Sequence, residues 1–233
     1  MLSVRDVEAG YGSMSVLFGV SLGIAEGETL SLIGSNGAGK STLFSVITGL
    51  LAPASGEIEL DGASLTRKST SAIVDHGIVM VPEGRKLFPS LTVEENLLLG
   101  AYRKRPGDWT IGRVLDTFPI LKELRRRPSQ ALSGGQQQLV AVGRALMANP
   151  KVLLCDELSL GLSPSAVDMV YGGLEKIRGA DVSIILVEQD IARALNESDH
   201  FACMRHGRIV LEGSSATANR NQISDAYFGG SHD

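Results

Sequence analysis

The stretch Gly34-Ser35-Asn36-Gly37-Ala38-Gly39-Lys40-Ser41-Thr42 decides the fold of this chain. It fits the pattern G-x-x-x-x-G-K-[ST], and it lies between an apolar strand predicted over Thr29–Ile33 and a helix predicted over residues 40–48. The glycines let the backbone wrap closely around a phosphate with its N–H groups turned inward, and the start of the helix presents its positive end to the same anion. The sequence therefore predicts a phosphate-binding loop.

Two side chains at the end of this loop are expected to bind the phosphates and a metal ion. Lys40 is expected to reach the β and γ phosphates of a nucleotide. The Ser41 hydroxyl is expected to bind Mg²⁺, a hard cation that prefers oxygen ligands and keeps several waters. The loop thus predicts a nucleotide bound together with Mg²⁺.

A pair of acidic residues follows a second apolar strand, predicted over residues 152–155. Asp156 is expected to hold the Mg²⁺ shell, and Glu157, one residue on, to orient or deprotonate the attacking water. An acidic pair after a strand is also common as a solvated strand end. The phosphate-binding loop upstream favours the catalytic interpretation.

A third motif is Leu132-Ser133-Gly134-Gly135-Gln136, which is followed by an apolar-periodic run through Met147. Ser133 is expected to cap the N-terminus of that helix. Its hydroxyl, the amides of Gly134 and Gly135 and the helix dipole predict a second anion site, distinct from the first. A second anion site in one chain calls for a separate explanation.

Composition limits the class of protein. A chain of 233 residues with 43% hydrophobic and 21% charged residues is expected to form one or at most two compact domains. The formal net charge of -4 does not favour nucleic acid as a partner, and the run of arginines at 125–127 is interpreted as a solvated surface. Cys155 and Cys203 have no metal-ligand spacing, and no apolar run approaches the roughly 18 residues of a spanning helix.

The order of the predicted elements indicates an α/β fold. Short strands over residues 2–7, 20–24 and 57–60 predict a small antiparallel sheet, and strands over Ile78–Val81, 152–155 and 183–187 predict a mostly parallel core sheet. Residues 93–149 are helix-like, and residues 201–204 and 208–211 predict a hairpin about His206-Gly207. We predict one P-loop NTPase domain over 1–233, with the α/β core and its antiparallel part in 1–92 and 150–233, and a helical subdomain inserted at 93–149.

The three motifs in this order resemble the ATP-binding subunits of ABC transporters over nearly the whole chain. The chain is especially similar to those of branched-chain amino-acid importers. That finer similarity lies in five stretches: Val81-Pro82-Glu83-Gly84-Arg85, Phe88-Pro89-Ser90-Leu91-Thr92-Val93-Glu94-Glu95-Asn96-Leu97, Ser159-Leu160-Gly161-Leu162-Ser163-Pro164, Leu186-Val187-Glu188-Gln189 and Ala226-Tyr227-Phe228-Gly229-Gly230.

The resemblance implies a head-to-tail dimer with ATP and Mg²⁺ between the loop at 34–42 of one subunit and residues Ser133 to Gln136 of the other. Two anion sites in one chain are then explained. Tyr11 would stack on the adenine, and residues 159–162 would form a loop that communicates across the dimer. The resemblance further implies these assignments: Lys40, Glu157 and Gln189 as catalytic residues, Ser41, Asp156 and Glu83 as the metal site, and Glu83 also as a nucleotide contact.

Three residues depart from the pattern of most ABC proteins, which have Gln at the position of Glu83, His at that of Gln189 and often Pro at that of Leu158. Glu83 brings a further carboxylate toward Mg²⁺ and the γ-phosphate, so the metal or Arg85 must offset the repulsion. Gln189 donates a hydrogen bond but cannot become cationic as His can. The first two residues resemble those of the ATP-binding subunits of branched-chain amino-acid importers. Slow turnover of ATP is one expected consequence of these two residues.

The resemblance implies partners at a membrane. They are separate transmembrane permease subunits, a second ATP-binding subunit that is identical or related, and indirectly a solute-binding protein, with no nucleic acid. Glu83 and Arg85 would couple the nucleotide to the permease, and the chain would lie peripherally on the cytoplasmic face of the inner membrane. Three alternatives remain open: a urea or short-chain amide importer, a regulatory ABC ATPase outside transport, and a soluble ABC ATPase of repair or translation.

Overall fold

The fold is known from a computed structural model that describes residues 1–178 and 182–229. Gly230, the last residue of the terminal stretch named above, lies outside the described residues. The strands are β1 (Leu2–Tyr11), β2 (Met14–Ile24), β3 (Thr29–Ile33), β4 (Ser55–Leu60), β5 (Ala63–Ser64), β6 (Ile78–Val81), β7 (Val152–Asp156), β8 (Ser183–Glu188), β9 (His200–Arg205) and β10 (Arg208–Ser214). The α-helices are α1 (Lys40–Ile47), α2 (Thr70–His76), α3 (Val93–Gly100), α4 (Ile111–Thr117), α5 (Pro119–Glu123), α6 (Gly134–Leu146), α7 (Pro164–Glu175), α8 (Ile191–Asn196) and α9 (Arg220–Phe228).

The strands form two sheets. An antiparallel sheet has the order β2-β1-β4-β5, and a larger sheet has the order β10-β9-β3-β8-β7-β6. In the larger sheet the pairs from β9 to β6 are parallel, and only its edge strand β10 is antiparallel to its neighbour. The predicted α/β core with an antiparallel part is confirmed.

The larger sheet is covered on both faces. Leu153 and Ile184 pack into a cluster with α6 and α7, whereas Leu154 and Ile185, their neighbours along the same strands, pack with α1 and the antiparallel sheet. Every residue of β3, β7 and β8 is buried. This explains why these strands appear in the sequence as continuous apolar runs, since a strand with both faces covered has no polar alternation.

The predicted hairpin at the end of the larger sheet is confirmed. Arg205 of β9 pairs with Arg208 of β10, so His206 and Gly207 form a two-residue turn. Both turn residues have positive φ, 47° and 73°. A tight turn of this kind matches the right-handed twist of its strands, and glycine favours it.

Parts of the first eighty residues differ from the prediction. β1 and β2 extend beyond the predicted ranges 2–7 and 20–24, which were bounded by Gly and Asp, because the two strands keep pairing through register shifts after Val4 and Val7. The short helix α2 was not predicted. Only Ile73 of α2 is buried, so the helix has no periodic apolar stripe, and it is delimited instead by the Ser69 N-cap and by Gly77 at φ 105°.

Residues 93–149 contain α3 to α6 and two short 3-10 turns, as the helix-like sequence predicted. Within the described residues this segment contains no strand, and an isolated bridge joins Thr92 to Pro128 at its edge. Its core includes Trp109, Phe118 and the apolar face of α6. The division of the chain into a core and an inserted subdomain at 93 and 149 stays a prediction.

Candidate nucleotide-binding and hydrolysis site

The glycine-rich loop lies between the carboxyl end of β3 and the start of α1, as predicted. Gly39 has φ 109°, a conformation that side chains other than glycine rarely adopt. Gly34 is equally constrained, because a Cβ there would lie 2.5 Å from the backbone oxygen of Met204. The loop is therefore closely packed against the neighbouring strand β9, and its backbone shape is fixed by these two glycines.

Lys40 is held inside the loop. Its side chain is buried, and its Nζ donates hydrogen bonds to the carbonyl oxygens of Gly34 at 2.7 Å and Ser35 at 3.0 Å. Burial lowers the pKa of Lys40, while the charges of Glu157 and Asp156 act in the opposite direction. The ammonium group is thus positioned among carbonyl oxygens and carboxylates at the mouth of the loop.

Asp156 ends β7 and is buried, with only 4% of the residue exposed. Burial raises the pKa of Asp156 to about 6, and the nearby charges of Glu157 and Glu83 add to this effect, while a hydrogen bond from Ser41 and the charge of Lys40 oppose it. Among the described residues, Asp156 Oδ1 has no hydrogen-bond partner. A buried oxygen of this kind is a ready ligand for a cation.

Glu157 leaves the strand in a different direction from Asp156. Its φ is 48°, which is uncommon for a residue other than glycine. Its Oε1 lies 3.9 Å from Nζ of Lys40, and its Oε2 accepts a hydrogen bond of 2.8 Å from Nε2 of Gln189. The structure therefore brings Lys40, Glu157 and Gln189 together, beside Ser41 and Asp156, and Glu83 is close enough to influence Asp156 electrostatically.

The Ser133 motif forms a separate feature. Ser133 caps α6 in a capping box, in which Gln136 N donates to Ser133 Oγ at 3.4 Å and Ser133 N donates to Gln136 Oε1 at 3.0 Å. Gly135 packs against α7, where a Cβ would lie 2.8 Å from the Cβ of Ala166. In residues 1–178 and 182–229, no hydrogen bond or ion pair joins Ser133–Gln136 to the loop at 34–42. The cap of α6 is confirmed; its contact with a nucleotide stays a prediction.

Two further predicted positions lie outside this cluster. Tyr11 ends β1 and is 54% exposed, so its ring is accessible to a ligand, but its stacking on adenine stays a prediction. Arg85 donates to Oε1 of Gln137 at 3.0 Å, and Arg144 of α6 donates to the carbonyl oxygens of Arg85 and Lys86. The loop that contains Glu83 is therefore tied to α6.

Sequence reasoning missed one pair beside the site. Glu188, at the end of β8, is 2% exposed, and Ser159 Oγ lies 3.2 and 3.3 Å from its two carboxylate oxygens. Burial raises the pKa of Glu188 to about 7. The signal available in the sequence was an acidic residue in the last position of an apolar strand, directly before Gln189.

The raised pKa of Asp156 predicts a pH-dependent cost in stability. The folded protein keeps the Asp156 proton up to about pH 6, whereas the unfolded chain loses it near pH 3.8, so the free energy of unfolding falls as the pH rises through this window. We compare Asp156→Asn, which stays neutral, with the wild type at about pH 4.5 and about pH 8. We expect the stability of the variant relative to the wild type to be greater at the higher pH by on the order of 2 kcal/mol. Urea unfolding without Mg²⁺ or nucleotide measures this difference.

The control for this experiment is Asp168→Asn, since Asp168 is exposed on α7. Its stability relative to the wild type should be the same at both pH values. If Asp156→Asn also showed an equal difference at both pH values, the assignment of a protonated buried carboxylate would be contradicted.

Among the residues that the structure describes, no helix has the length and apolar character needed to cross a membrane. Nor is any group of three or more His, Cys, Asp and Glu side chains within those ranges placed to hold a metal ion.

Comparison with known proteins places these features in one family. The sequence profile described as ABC transporter matches residues 17–159. The chain is 42% identical over 233 residues to the high-affinity branched-chain amino acid transport ATP-binding protein BraG of Pseudomonas aeruginosa, covering 99% of this chain and 100% of that protein. It is 35% identical to the probable branched-chain amino acid transport ATP-binding protein LivF of Archaeoglobus fulgidus, covering 92% of each.

Solved structures give the same result. A nucleotide-free ATP-binding cassette from an ABC transporter superposes with a TM-score of 0.82 at 27% identity, covering 99% of this chain and 95% of that one. A dimeric ATP-binding cassette in a post-hydrolysis state, bound to ADP and Pi, superposes with a TM-score of 0.78 at 27% identity, covering 92% and 99%. With its glycine-rich loop, strand-end carboxylates and capped α6 in the shared fold, this chain belongs to the ABC transporter family.

Proposed function

We propose that this chain is the ATP-hydrolysing subunit of an importer that takes up branched-chain or similar amino acids through a separate permease. The chain is an ABC transporter ATPase by its family and its fold. One observation supports the proposal that the chain hydrolyses ATP. Four side chains lie close together at the carboxyl ends of β3, β7 and β8: Lys40, Asp156, Glu157 and Gln189.

ATP binding would begin at the loop. The backbone N–H groups of residues 34–42 and the start of α1 offer donors to the phosphates, and Lys40 would exchange its two carbonyl partners for β- and γ-phosphate oxygens. The adenine would stack on the exposed ring of Tyr11. Since Lys40 is already buried in the loop, its side chain loses little further freedom on binding.

Mg²⁺ fits the donor set beside the loop. Ser41, Asp156 and Glu83 would hold it, with Asp156 offering its buried Oδ1, which has no hydrogen-bond partner among the described residues. When bound, the ion neutralises charge that develops on the phosphates. Asp156 would hold the ion as an ionised carboxylate, and would therefore give up the proton that it keeps below about pH 6.

Glu157 is suited to the proton transfer. Its carboxylate would accept the proton of the attacking water and orient that water toward the γ-phosphate. The hydrogen bond from Gln189 Nε2 to Glu157 Oε2 fixes one carboxylate oxygen, which leaves Oε1 toward Lys40 and the phosphates. Because Gln189 cannot take up a proton as His can, Glu157 is the base in this arrangement.

The second half of the site would come from another subunit. The helix start at Ser133, with Gly134, Gly135 and Gln136, presents amides and a positive helix end, but no bond ties it to the loop at 34–42 within the described ranges. The similar cassette solved as a dimer with ADP and Pi supports a pair of subunits that binds nucleotide, which we propose to be head-to-tail. Whether the second subunit is identical or related, it would supply the same motif.

The permease would dock in a groove between the larger sheet and the helical segment. The groove is largely apolar, with Phe88 53% exposed and Tyr102 80% exposed at its edge. Arg144 lines it and also holds the carbonyl oxygens of Arg85 and Lys86, so the groove is connected to the loop that contains Glu83. This groove favours a partner that presents a short apolar helix, and the chain would then lie peripherally on the membrane.

Purification from gently extracted membranes tests this function. We expect the tagged chain to co-purify with two integral permease subunits and a second ATP-binding subunit, and leucine with its solute-binding protein to stimulate ATP hydrolysis in proteoliposomes. Phe88→Glu should lose the permease while it keeps ATP binding, because a buried charge in an apolar interface is costly.

Val210→Glu is the matched control, since Val210 is 41% exposed on β10, away from the groove. It should retain the permease. Stimulation by urea or a short amide instead of leucine would move the cargo assignment to that class of importer. Recovery of the chain without any permease would contradict the transport function.

A further inference from the structure

Two side-chain contacts join the segment that follows β7 to the end of β8 and the residue after it. The parallel ladder ends where Asp156 pairs with Val187. Beyond it, Gln189 donates to Glu157 at 2.8 Å, and Ser159 Oγ lies 3.2 and 3.3 Å from the two carboxylate oxygens of Glu188. Glu157 and Ser159, two residues apart after β7, thus contact the adjacent residues Gln189 and Glu188, respectively.

Glu188 occupies an unusual position for an acid. It is 2% exposed in a strand whose other residues are all buried, and burial of a carboxyl group is unfavourable unless hydrogen bonds or charges compensate. Ser159 and the backbone of Gln189 supply hydrogen bonds, and the positive charge of Arg193 acts on Glu188 from the first turn of α8. A buried acid of this kind needs an explanation that packing alone does not give.

The loop that follows β7 depends on such a contact. Glu157 has a positive φ of 48°, a conformation that a residue other than glycine adopts at a cost of order 1–3 kcal/mol and that persists only when its surroundings fix it. Ser159, two residues later, is the point at which the loop is fastened to β8. Glu188 shares a peptide unit with Gln189, so the same contact also fixes the residue that holds Glu157.

We propose that Glu188 is a positioning residue for hydrolysis: by accepting the hydroxyl hydrogen bond of Ser159, it holds the loop at 157–162 and Gln189 in the arrangement that aligns Glu157 with the attacking water. This inference rests on the proposed roles of Glu157 and Gln189. Glu188 acts through its neighbours and does not contact the nucleotide. Its side chain borders a cleft of about 210 Å³ that is also lined by Glu157, Ser159 and Gln189.

The test compares kcat and KM for ATP in Ser159→Ala, Glu188→Ala, the double variant and Glu188→Gln. We expect each alanine variant to lower kcat about tenfold while KM stays within about twofold, because a misplaced base slows the chemical step without weakening phosphate binding. The double variant should lose no more than the single variants, since both remove one contact. Glu188→Gln keeps an acceptor oxygen and should stay within about threefold of the wild type.

Ser165→Ala is the matched control, because Ser165 is exposed in the first turn of α7 and its hydroxyl contacts Ser163 instead. It should leave kcat unchanged, and thermal unfolding confirms that each variant folds. A Ser159→Ala variant with wild-type kcat, a Glu188→Gln variant as slow as Ser159→Ala, or equal changes in kcat and KM would overturn the inference. Glu157→Gln in the same assay separates this result from the proposed function, because hydrolysis indifferent to that change would contradict the proposed hydrolytic role of Glu157 itself.

Discussion

Glu157→Gln is expected to slow phosphate release from ATP at least a hundredfold, with Glu157→Ala showing the same loss. The reason is geometric and chemical: Glu157 is the carboxylate that lies 3.9 Å from Lys40 and is oriented by Gln189, and an amide cannot accept the proton of water. General bases commonly contribute about 10²–10⁴ to a rate. Steady-state phosphate release at saturating Mg-ATP measures the loss.

The same variant should accumulate as an ATP-bound dimer, because closure of the two subunits on nucleotide does not require the proton transfer. Light scattering with and without ATP detects this species. Glu123→Gln is the control, since Glu123 is exposed at the end of α5. Hydrolysis at the wild-type rate, or a Glu157→Gln chain that stays monomeric at saturating ATP, would count against the proposed site.

Lys40→Ala is expected to weaken ATP binding by on the order of a hundredfold or more. The change removes a charged donor that is buried and held by two loop carbonyls, and hydrogen bonds to charged groups contribute about 1.5–3 kcal/mol each. At an ATP concentration of about 100 times the wild-type Kd, binding stabilises the folded wild type by about 2.7 kcal/mol. The variant should therefore lose almost all of the ATP-dependent increase in Tm.

Lys68→Ala provides the comparison, because Lys68 is an exposed lysine outside the loop. It should show the full increase in Tm with ATP. Without nucleotide, Lys40→Ala should unfold at nearly the wild-type temperature or above it, since the substitution also removes a buried charge whose pKa is lowered by burial. An undiminished ATP-dependent shift would show that the phosphates bind elsewhere.

The parts of the fold that sequence predicted are those with local causes. The loop at 34–42 and the turn at His206-Gly207 each need a particular backbone conformation, and the glycines that permit it are visible in the sequence. The strands β7 and β8 were predicted from their continuous apolar runs. Such runs occur because both faces of these strands are covered. In contrast, α2 lacks an apolar stripe, and the bulges of β1 disturb its alternation.

The residues of the candidate site also fall into those that local sequence predicts and those that it does not. The loop, Asp156 and Glu157 were recognised from short motifs, each confined to a few neighbouring residues. The contact between Ser159 and Glu188 joins residues 29 positions apart, and it depends on the register in which β7 and β8 pair. A single sequence does not give that register. The partner of Ser133 was inferred only from the resemblance to ABC subunits, because in the proposed dimer it belongs to another subunit.

The length of α6 has a mechanical consequence. The helix runs over Gly134–Leu146, or 13 residues, which corresponds to roughly 20 Å. Its first turn would face the nucleotide of the second subunit, while Arg144, near its other end, lines the permease groove and holds the loop beyond β6. A stiff rod of this length that tilts by about 10° displaces its far end by about 3 Å. Small changes of angle at the nucleotide would thus reach the membrane partner as a displacement comparable to the width of an atom, with no unfolding between the two.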